Sequence, residues 1–492
     1  MTSSALVVRF RSSLAVGIGL SLALLTLPKP AVAQELVQHR AKVSQGLEQT
    51  LEAGGGRETR VIYEGPQSEV DRLAGSYGLQ VVSRLTGGAV LAGQNAAIQA
   101  LAQDGRVNNL SEDAHVFGMS IDPAQTTGAN LVWSRGTGRG ANFAGDIGKG
   151  IGVVIIDSGV SANHPDLKNR ILYQMDFTGE GTRDLYGHGT HVAGIIAGSG
   201  AGDTTSSGTS TVGMAPGAAL ISLKVLSADG TGYVSDVIRA IDWTIANKDR
   251  FGIRVVNMSL GTPAFGSPND DPLAKAAERA VAAGLVVVAS AGNFGKLPDG
   301  TPIVGGIVSP GYAPGVLTVG ALNTQGTLSR SDDVVASYSS RGPVGNPEDQ
   351  ASWDLKPDLV APGNAIVSAG AVGSYLWDNY PQKQVTGASG GSYMTLSGSS
   401  MAAGVVSGAV ADLLQANPKL TPAQVKFALQ YTAEPLDGFG LIEQGAGSLD
   451  VPLAIALATS KNLRQAPVRT TIGGQQIAAG QIAFANTIIW SN

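Results

Sequence analysis

Between about residues 120 and 455 the chain alternates short, uninterrupted apolar runs with longer stretches of helical periodicity, among them ISLKVL, SDVIRAIDWTIAN, IRVVNMSL, PLAKAAERAVAAG and LVVVASAG. A strand without polar alternation has no face to give to water, so it belongs in a parallel sheet covered on both sides by the helices that connect its strands. The pattern predicts an α/β fold of three layers with a mostly parallel sheet, and several hundred residues suffice for one large core. The connections 296–315, 342–355 and 370–394 are rich in Gly, Pro and Ser and read as surface loops.

Three residues in this region stand where chemistry is usually placed. Asp157 ends the apolar run IGVVIIDSGV (151–160), which puts a carboxylate at the C-terminal edge of a strand, the edge at which open α/β sheets hold their ligands. His188 lies between two glycines in YGHGTHVAGIIAG (186–198), at the head of an apolar helical stretch, and Ser400 opens another, LSGSSMAAGVVSGAVADLL (396–414). Singly, these read as a turn aspartate, a helix-capping histidine and a helix-start serine. Together they form the acid, base and nucleophile of a triad, in one of the few chain orders that unrelated folds have produced. Asp157 would accept the imidazole N–H of His188, fix its tautomer and stabilise the imidazolium formed when the nucleophile loses its proton.

The segments DSGV, GHGTHVAG and GSSMA resemble the three signature blocks of the subtilisin-like serine proteases, the subtilases. The likeness extends over about 120–455 and includes KVLSADGTG (224–232), VVNMSLG (255–261), VVVASAGN (286–293), SSRGP (339–343) and KPDLVAPG (356–363). It implies a subtilisin-like fold and a serine endopeptidase acting on proteins or peptides through an acyl-enzyme. Asp157, His188 and Ser400 would be the triad, and the Asn293 side chain, with the Ser400 N–H, the oxyanion hole. Ser259, Leu260 and Gly261 would be the edge along which substrate lies as an added strand, and with Ala291 and Gly292 they would wall the primary pocket. Phe294 and Val308 put no charge near that pocket, which favours an apolar or aromatic residue on the acyl side of the cut. Two positions depart from the family pattern. Gly404 and Val405 stand where Pro and His usually follow, which should soften the helix start. Ser399 replaces a threonine, leaving two adjacent serines of which alignment selects Ser400 as nucleophile.

Other hydrolase chemistries are excluded or reduced. The zinc-peptidase pattern needs two histidines four apart with an intervening Glu, whereas His188 and His191 are three apart, so His191 reads as a packed helix residue. Lipases and esterases place their serine in G-x-S-x-G and reverse the order of acid and nucleophile. A non-catalytic scaffold would lack a triad member or the oxyanion donor, and neither is lacking. No cofactor is expected for catalysis. His164 in NHPDL (163–167) reads as a loop histidine. The neighbouring Asp166 matches a family position for structural calcium, an ion that takes several oxygen ligands; the Gly/Ser/Thr-rich stretch 199–213 reads more simply as a solvated loop.

A net charge of −5 offers no basic patch for nucleic acid or an anionic membrane, and the absence of cysteine removes both disulfides and a thiol nucleophile. Residues 1–33 carry Arg9 and Arg11, then the apolar SLAVGIGLSLALLTL (13–27), then AVA, the plan of a secretory signal peptide cleaved after Ala33. A retained anchor would need about 20 apolar residues. Residues 34–119 read as a separate unit, with a polar, flexible lead-in over 34–59 ending in GGG and then strands and helices in β-α-β-β-α-β order, the ferredoxin-like split motif. By resemblance this is a propeptide, an intramolecular chaperone and inhibitor of a secreted, monomeric enzyme occupying 120–457. The tail 458–492 has two short strand-like runs and no evident chemistry.

Overall fold

The computed structural model describes residues 41–44, 47, 51, 58–113, 122–133, 145–202, 210–264, 266–345, 353–387, 390–460 and 467–483. The signal-peptide reading (1–33) and the expected boundary at 119 lie outside them. The chain divides into two compact units, 1–116 and 117–492.

In the first unit a five-stranded sheet has the order β1-β5-β2-β4-β3, built from Lys42–Val43, Glu58–Glu64 (β2), Gln80–Leu85 (β3), Gly88–Gln94 (β4) and Asn109–Glu112 (β5). Helices Gln67–Tyr77 and Asn95–Ala102 complete the expected β-α-β-β-α-β path. Strand β2 alternates, with Val61 and Tyr63 buried and Glu58, Arg60 and Glu64 exposed. The first helix stops at Gly78, whose left-handed φ of 65° lets its N–H cap Ala74 O. The 34–59 lead-in is more structured than its composition suggests. Lys42–Val43 (β1) pairs in parallel with Asn109–Leu110, Leu47 and Leu51 are buried in the same core, and β2 already starts at Glu58. A two-residue edge strand is too short to leave a periodic signal in sequence.

The second unit carries an eight-stranded sheet of order β12-β11-β10-β9-β6-β8-β7, with β13 also on β11. Its strands are Gly152–Asp157 (β6), Ile171–Asp176 (β7), Ala219–Lys224 (β8), Ile253–Met258 (β9), Val286–Ser290 (β10), Leu317–Asn323 (β11), Val334–Val335 (β12) and Leu359–Pro362 (β13). All pairings are parallel except that of β12. Both faces are dry. Val153 and Ile155 join one core cluster with Val192, Val405 and Val406, while Val154 and Ile156 join another with Val237, Ala240, Leu273 and Ala277. Helices His188–Ala197 and Ser399–Ala416 therefore cover one face, and Val234–Phe251 and Pro272–Ala282 the other.

The Ser399–Ala416 helix is apolar all round and buried along most of its length, as a central helix must be. It runs unbroken from Ser399. A Cβ on Gly404 would sit 3.2 Å from Ile195 Cγ2, so this glycine lets the two core helices approach closely.

The stretch 370–394 is not a plain surface loop. It holds a short helix, Tyr375–Asn379, and strands Gln384–Thr386 (β15) and Ser392–Leu396 (β16), which with Ile366–Ala369 (β14) form an antiparallel sheet of order β14-β16-β15. Within 296–315, Val308, Ser309 and Tyr312 are buried, and Ser309 exchanges backbone hydrogen bonds with Thr262. Short strands flanked by Gly and Ser look like loop in a window-based reading. After the Val451–Thr459 helix, which crosses the expected boundary at 457, the tail forms a hairpin of Arg469–Ile472 (β17) and Gln475–Ala478 (β18). It turns on Gly473 and Gly474, both at positive φ as a two-residue hairpin requires. Gln475 Oε1 accepts from Arg330 N–H, and Gly480 N–H donates to Ala433 O, which dock the hairpin on the unit.

Candidate active site

Asp157 sits fully buried at the C-terminal end of β6, its backbone carbonyl accepting from Val225 N–H and Leu226 N–H. Its carboxylate faces His188, with Nδ1 2.9 Å from Oδ1 and 3.0 Å from Oδ2, and Oδ1 also accepts from Ser158 N–H at 2.8 Å. An ionised acceptor places the proton on Nδ1 and leaves Nε2 as the basic nitrogen. His188 is the first residue of its helix. Glycine is required on both sides of it. Gly187 has φ 104° and a Cβ there would lie 2.4 Å from Ser374 Oγ, while a Cβ on Gly189 would lie 2.2 Å from Gly159 O.

Ser400, the second residue of the central helix, lines the same cleft as His188 and Asn293. Its Oγ donates to Ser259 O at 3.1 Å, and Ser259 Oγ donates to Ser400 O at 2.8 Å. The serine hydroxyl thus donates to the edge segment; catalytic hydrogen bonds are often loose without substrate. Asn293 follows Gly292, which has φ 106°. Asn293 Oδ1 accepts from Ser399 N–H at 2.9 Å and from Ser399 Oγ at 3.1 Å. Because a backbone N–H can only donate, the amide orientation is fixed and Nδ2 is the group left for the cleft. Ser399 itself is fully buried, its hydroxyl donating to Asn293 and accepting from Gly292 N–H at 3.1 Å. That arrangement makes it the holder of the amide rather than a nucleophile, a role that adjacency of two serines did not reveal.

Ser259, Leu260 and Gly261 line the cleft, and Val308 packs between Gly261 and Gly292. A Cβ on Gly261 would fall 2.4 Å from Val308 Cγ2, and one on Gly292 would fall 2.8 Å from Val308 Cγ1, so the valine side chain already fills the space between the two backbone walls. Phe294 is 52% exposed and its N–H donates to Ser340 Oγ. The cleft continues over Gly230, Tyr233, Val237 and Leu273 on one side and over Leu376 and Lys383 of the 370–396 arm on the other. Among the described lining residues Lys383 bears the only permanent charge, and nothing in its local sequence singles it out.

Burial pulls His188 down, but the Asp157 charge and hydrogen bond, with the charge of Asp184, outweigh it and leave the imidazole above its ordinary 6.5. His191 is different. It is buried, its Nε2 donates to Ile366 O and Met394 O at 3.1 and 3.0 Å, and burial drives its pKa to about 3, so it is a neutral packing residue. His164 is a loop residue but a buried one: it accepts Asp166 N–H at Nδ1, donates from Nε2 to Ser392 O at 2.7 Å and packs edge-on against Tyr393. Asp166 Oδ1 accepts Gly202 N–H at 2.6 Å, and its carbonyl accepts Ser199 N–H. Both donors tie Ser199 and Gly202 to Asp166. Among the described residues no group of three or more acidic, His or Cys side chains could hold a metal ion.

A buried strand-end carboxylate paired to a helix-start histidine, with a serine on a facing buried helix, defines the serine-hydrolase class of α/β proteins. The subtilase family model matches residues 148–456, and the chain belongs to that family, the subtilisin-like serine proteases. It is 41% identical over 290 residues to the serine protease AprX of Bacillus subtilis, covering 58% of this chain and 61% of that protein, so it spans less than two thirds of this relative. Subtilisin E of Bacillus subtilis is 34% identical over 312 residues, covering 62% of this chain and 67% of the relative. Of solved structures, Sphericase superposes with a TM-score of 0.50 and 29% identity over 66% of this chain and 97% of its own.

Proposed function

We propose that the protein is a secreted serine endopeptidase, made as a self-processing zymogen. The observation that carries the reading is the convergence on one cleft of Ser400, a His188 imidazole oriented by Asp157, and an Asn293 amide oriented by Ser399. Ser400 Oγ leaves Ser259 O, gives its proton to His188 Nε2 and attacks the scissile carbonyl carbon. Asp157 balances the imidazolium. The oxyanion accepts from Asn293 Nδ2 and Ser400 N–H, donors already in place before charge develops. On collapse, His188 passes the proton to the leaving amine, and water then hydrolyses the acyl-enzyme by the same steps in reverse roles. Every group in the sequence of steps is a side chain or backbone N–H, so no cofactor is invoked.

Substrate lies along Ser259–Gly261 as an added strand, its main chain supplying affinity and its side chains selectivity. With Val308 between the two glycine walls, the acyl-side residue is apolar and small rather than aromatic. The N-terminal unit acts as propeptide, chaperone and inhibitor; its support is its position before the catalytic unit and its ferredoxin-like path. The apolar segment 13–27 supports export after cleavage at Ala33, and the mature enzyme is read as a monomer. Labelling with a fluorophosphonate followed by peptide mapping tests the core of the reading: modification of Ser400 is expected, and modification of another residue, or of none, overturns it.

A further inference from the structure

His188 begins a helix whose N-cap is Gly187, a residue with no side chain to satisfy the helix's free N–H groups. Two residues from elsewhere take that part. Ser158 Oγ accepts from Gly189 N–H at 2.9 Å, and Asp184 Oδ2 accepts from Thr190 N–H at 2.8 Å. Asp184 then collects three further donors: Thr190 Oγ1 on Oδ2 at 2.5 Å, and Gly187 N–H and Ser158 Oγ on Oδ1 at 2.7 and 2.9 Å.

The direction of each bond is fixed. Ser158 Oγ already accepts from Gly189 N–H and Thr190 Oγ1 from Ser161 N–H, so both hydroxyl protons point at Asp184. Burial raises the Asp184 carboxyl above its ordinary value, and four donors with no acceptor work against that rise and favour the carboxylate. This second buried anion lies behind the first. Ser158 joins them, its N–H on Asp157 Oδ1 and its hydroxyl on Asp184 Oδ1.

We infer that Asp184 is a positioning residue for catalysis, holding the head of the His188 helix against Asp157 and supplying the negative charge that lets His188 become an imidazolium there. The physical need is specific. A helix N-terminus carries partial positive charge and opposes a cation on its first residue. Asp157 balances the imidazolium from the side, and Asp184 balances the helix end on which it forms. The other groups around the ring are Tyr186 at 6.4 Å between centroids, neutral His191 one turn along, Ser400 from the central helix and Lys383 across the cleft. None of these supplies an anion.

The inference rests on the triad reading, and the experiment separates the two. Wild type, Asp184→Asn and Ser158→Ala are titrated with a fluorophosphonate to count active sites, and pH profiles of kcat and KM on a peptide ester are taken per active site. For Asp184→Asn the acid limb should move down by about one pH unit, with limiting kcat reduced ~10-fold and KM little changed. Ser158→Ala keeps the charge but loses the link between the carboxylates, and should show a smaller movement in the same direction with kcat down ~3-fold. A merely structural role would reduce the number of titrated sites and leave the limb of the surviving enzyme where it was; that result overturns the inference. If Asp184→Asn does not fold, Ser158→Ala decides alone, an unmoved limb and unchanged kcat being the overturning result. Failure of the wild type to label at Ser400 would instead sink the triad reading itself.

Discussion

Strands β2 and β6 make the difference between the two units visible. In ETRVIYE every second side chain goes inside, while in GVVIID all six residues are buried. The charges follow suit. In the first unit Arg84 meets Asp71 in water, the side chains 46% and 75% exposed. In the second, Lys356 and Asp358 pair at 2.9 Å with neither exposed. Lys356 Nζ spends its three protons on Val316 O, Thr318 Oγ1 and Asp358, and Asp358 also receives Lys426, Gln430 and Thr318 N–H, tying β11 and β13 to the Pro422–Thr432 helix. A polar group in a dry layer is costly unless every bond is made, and once all are made it does not move. This rigidity suits a site whose parts must be held within fractions of an ångström. A one-faced sheet with an exposed ion pair such as Arg84–Asp71 imposes no such rigidity on the N-terminal unit.

The comparison can be pressed at several points. Ser400→Ala deletes one hydroxyl in the dry unit, and should cut turnover by at least ~10⁴-fold and leave an uncut precursor beginning near Gln34, where the wild type yields a chain starting between about 116 and 124. N-terminal sequencing of both forms checks it, and equal processing would mean that another enzyme separates the units. Asn293→Ala should lower kcat by ~10²–10³ with KM nearly intact, a range carried over from a subtilisin. Steady-state kinetics on a peptide ester tests this, unchanged turnover removing Asn293 from the mechanism.

Lys356→Met leaves Asp358 with less compensation and should destabilise the mature enzyme by ~3–5 kcal/mol in denaturant melts. Arg84→Ala, the exposed counterpart, should change the N-terminal unit by no more than about 0.5 kcal/mol. Comparable losses would break the contrast between the units.

The pH response sharpens it further. Because His188 is held above 6.5, activity should rise with pH through a midpoint on the alkaline side of that value, as the neutral base forms. Stability runs the other way. The contribution of the raised histidine is fully present below 6.5 and is lost as pH climbs through the folded-state value, so thermal melts of an active-site-intact form should fall slightly where activity rises. A flat rate profile down to about pH 4 would contradict a histidine base.

Much of the catalytic unit was legible because its information is local. Apolar runs without alternation fix two-sided burial, and strand ends, glycine turns and helix heads place Asp157, His188, Asn293 and Ser400. The N-terminal β-α-β-β-α-β order was equally readable, whereas β1, two residues long, was not. The 370–396 arm was lost for the same reason: its strands are short and its turns glycine-rich.

What the amino-acid order alone determined is the layered α/β scaffold, since periodicity and turn chemistry are properties of neighbours in sequence, while the roles expected of Asp157, His188, Asn293 and Ser400 rested on the resemblance of their motifs to the subtilase blocks. Only the tertiary structure decided how those groups are aimed. Ser399 reaches Asn293 across 106 positions and Ser400 reaches Ser259 across 141. Val308 closes the gap between Gly261 and Gly292, and Ser158 caps Gly189 N–H from 31 positions away, at the helix head that Gly187 leaves bare. Such contacts form only when the packed sheet and helices bring distant residues within hydrogen-bonding or van der Waals distance, and no local pattern encodes that distance.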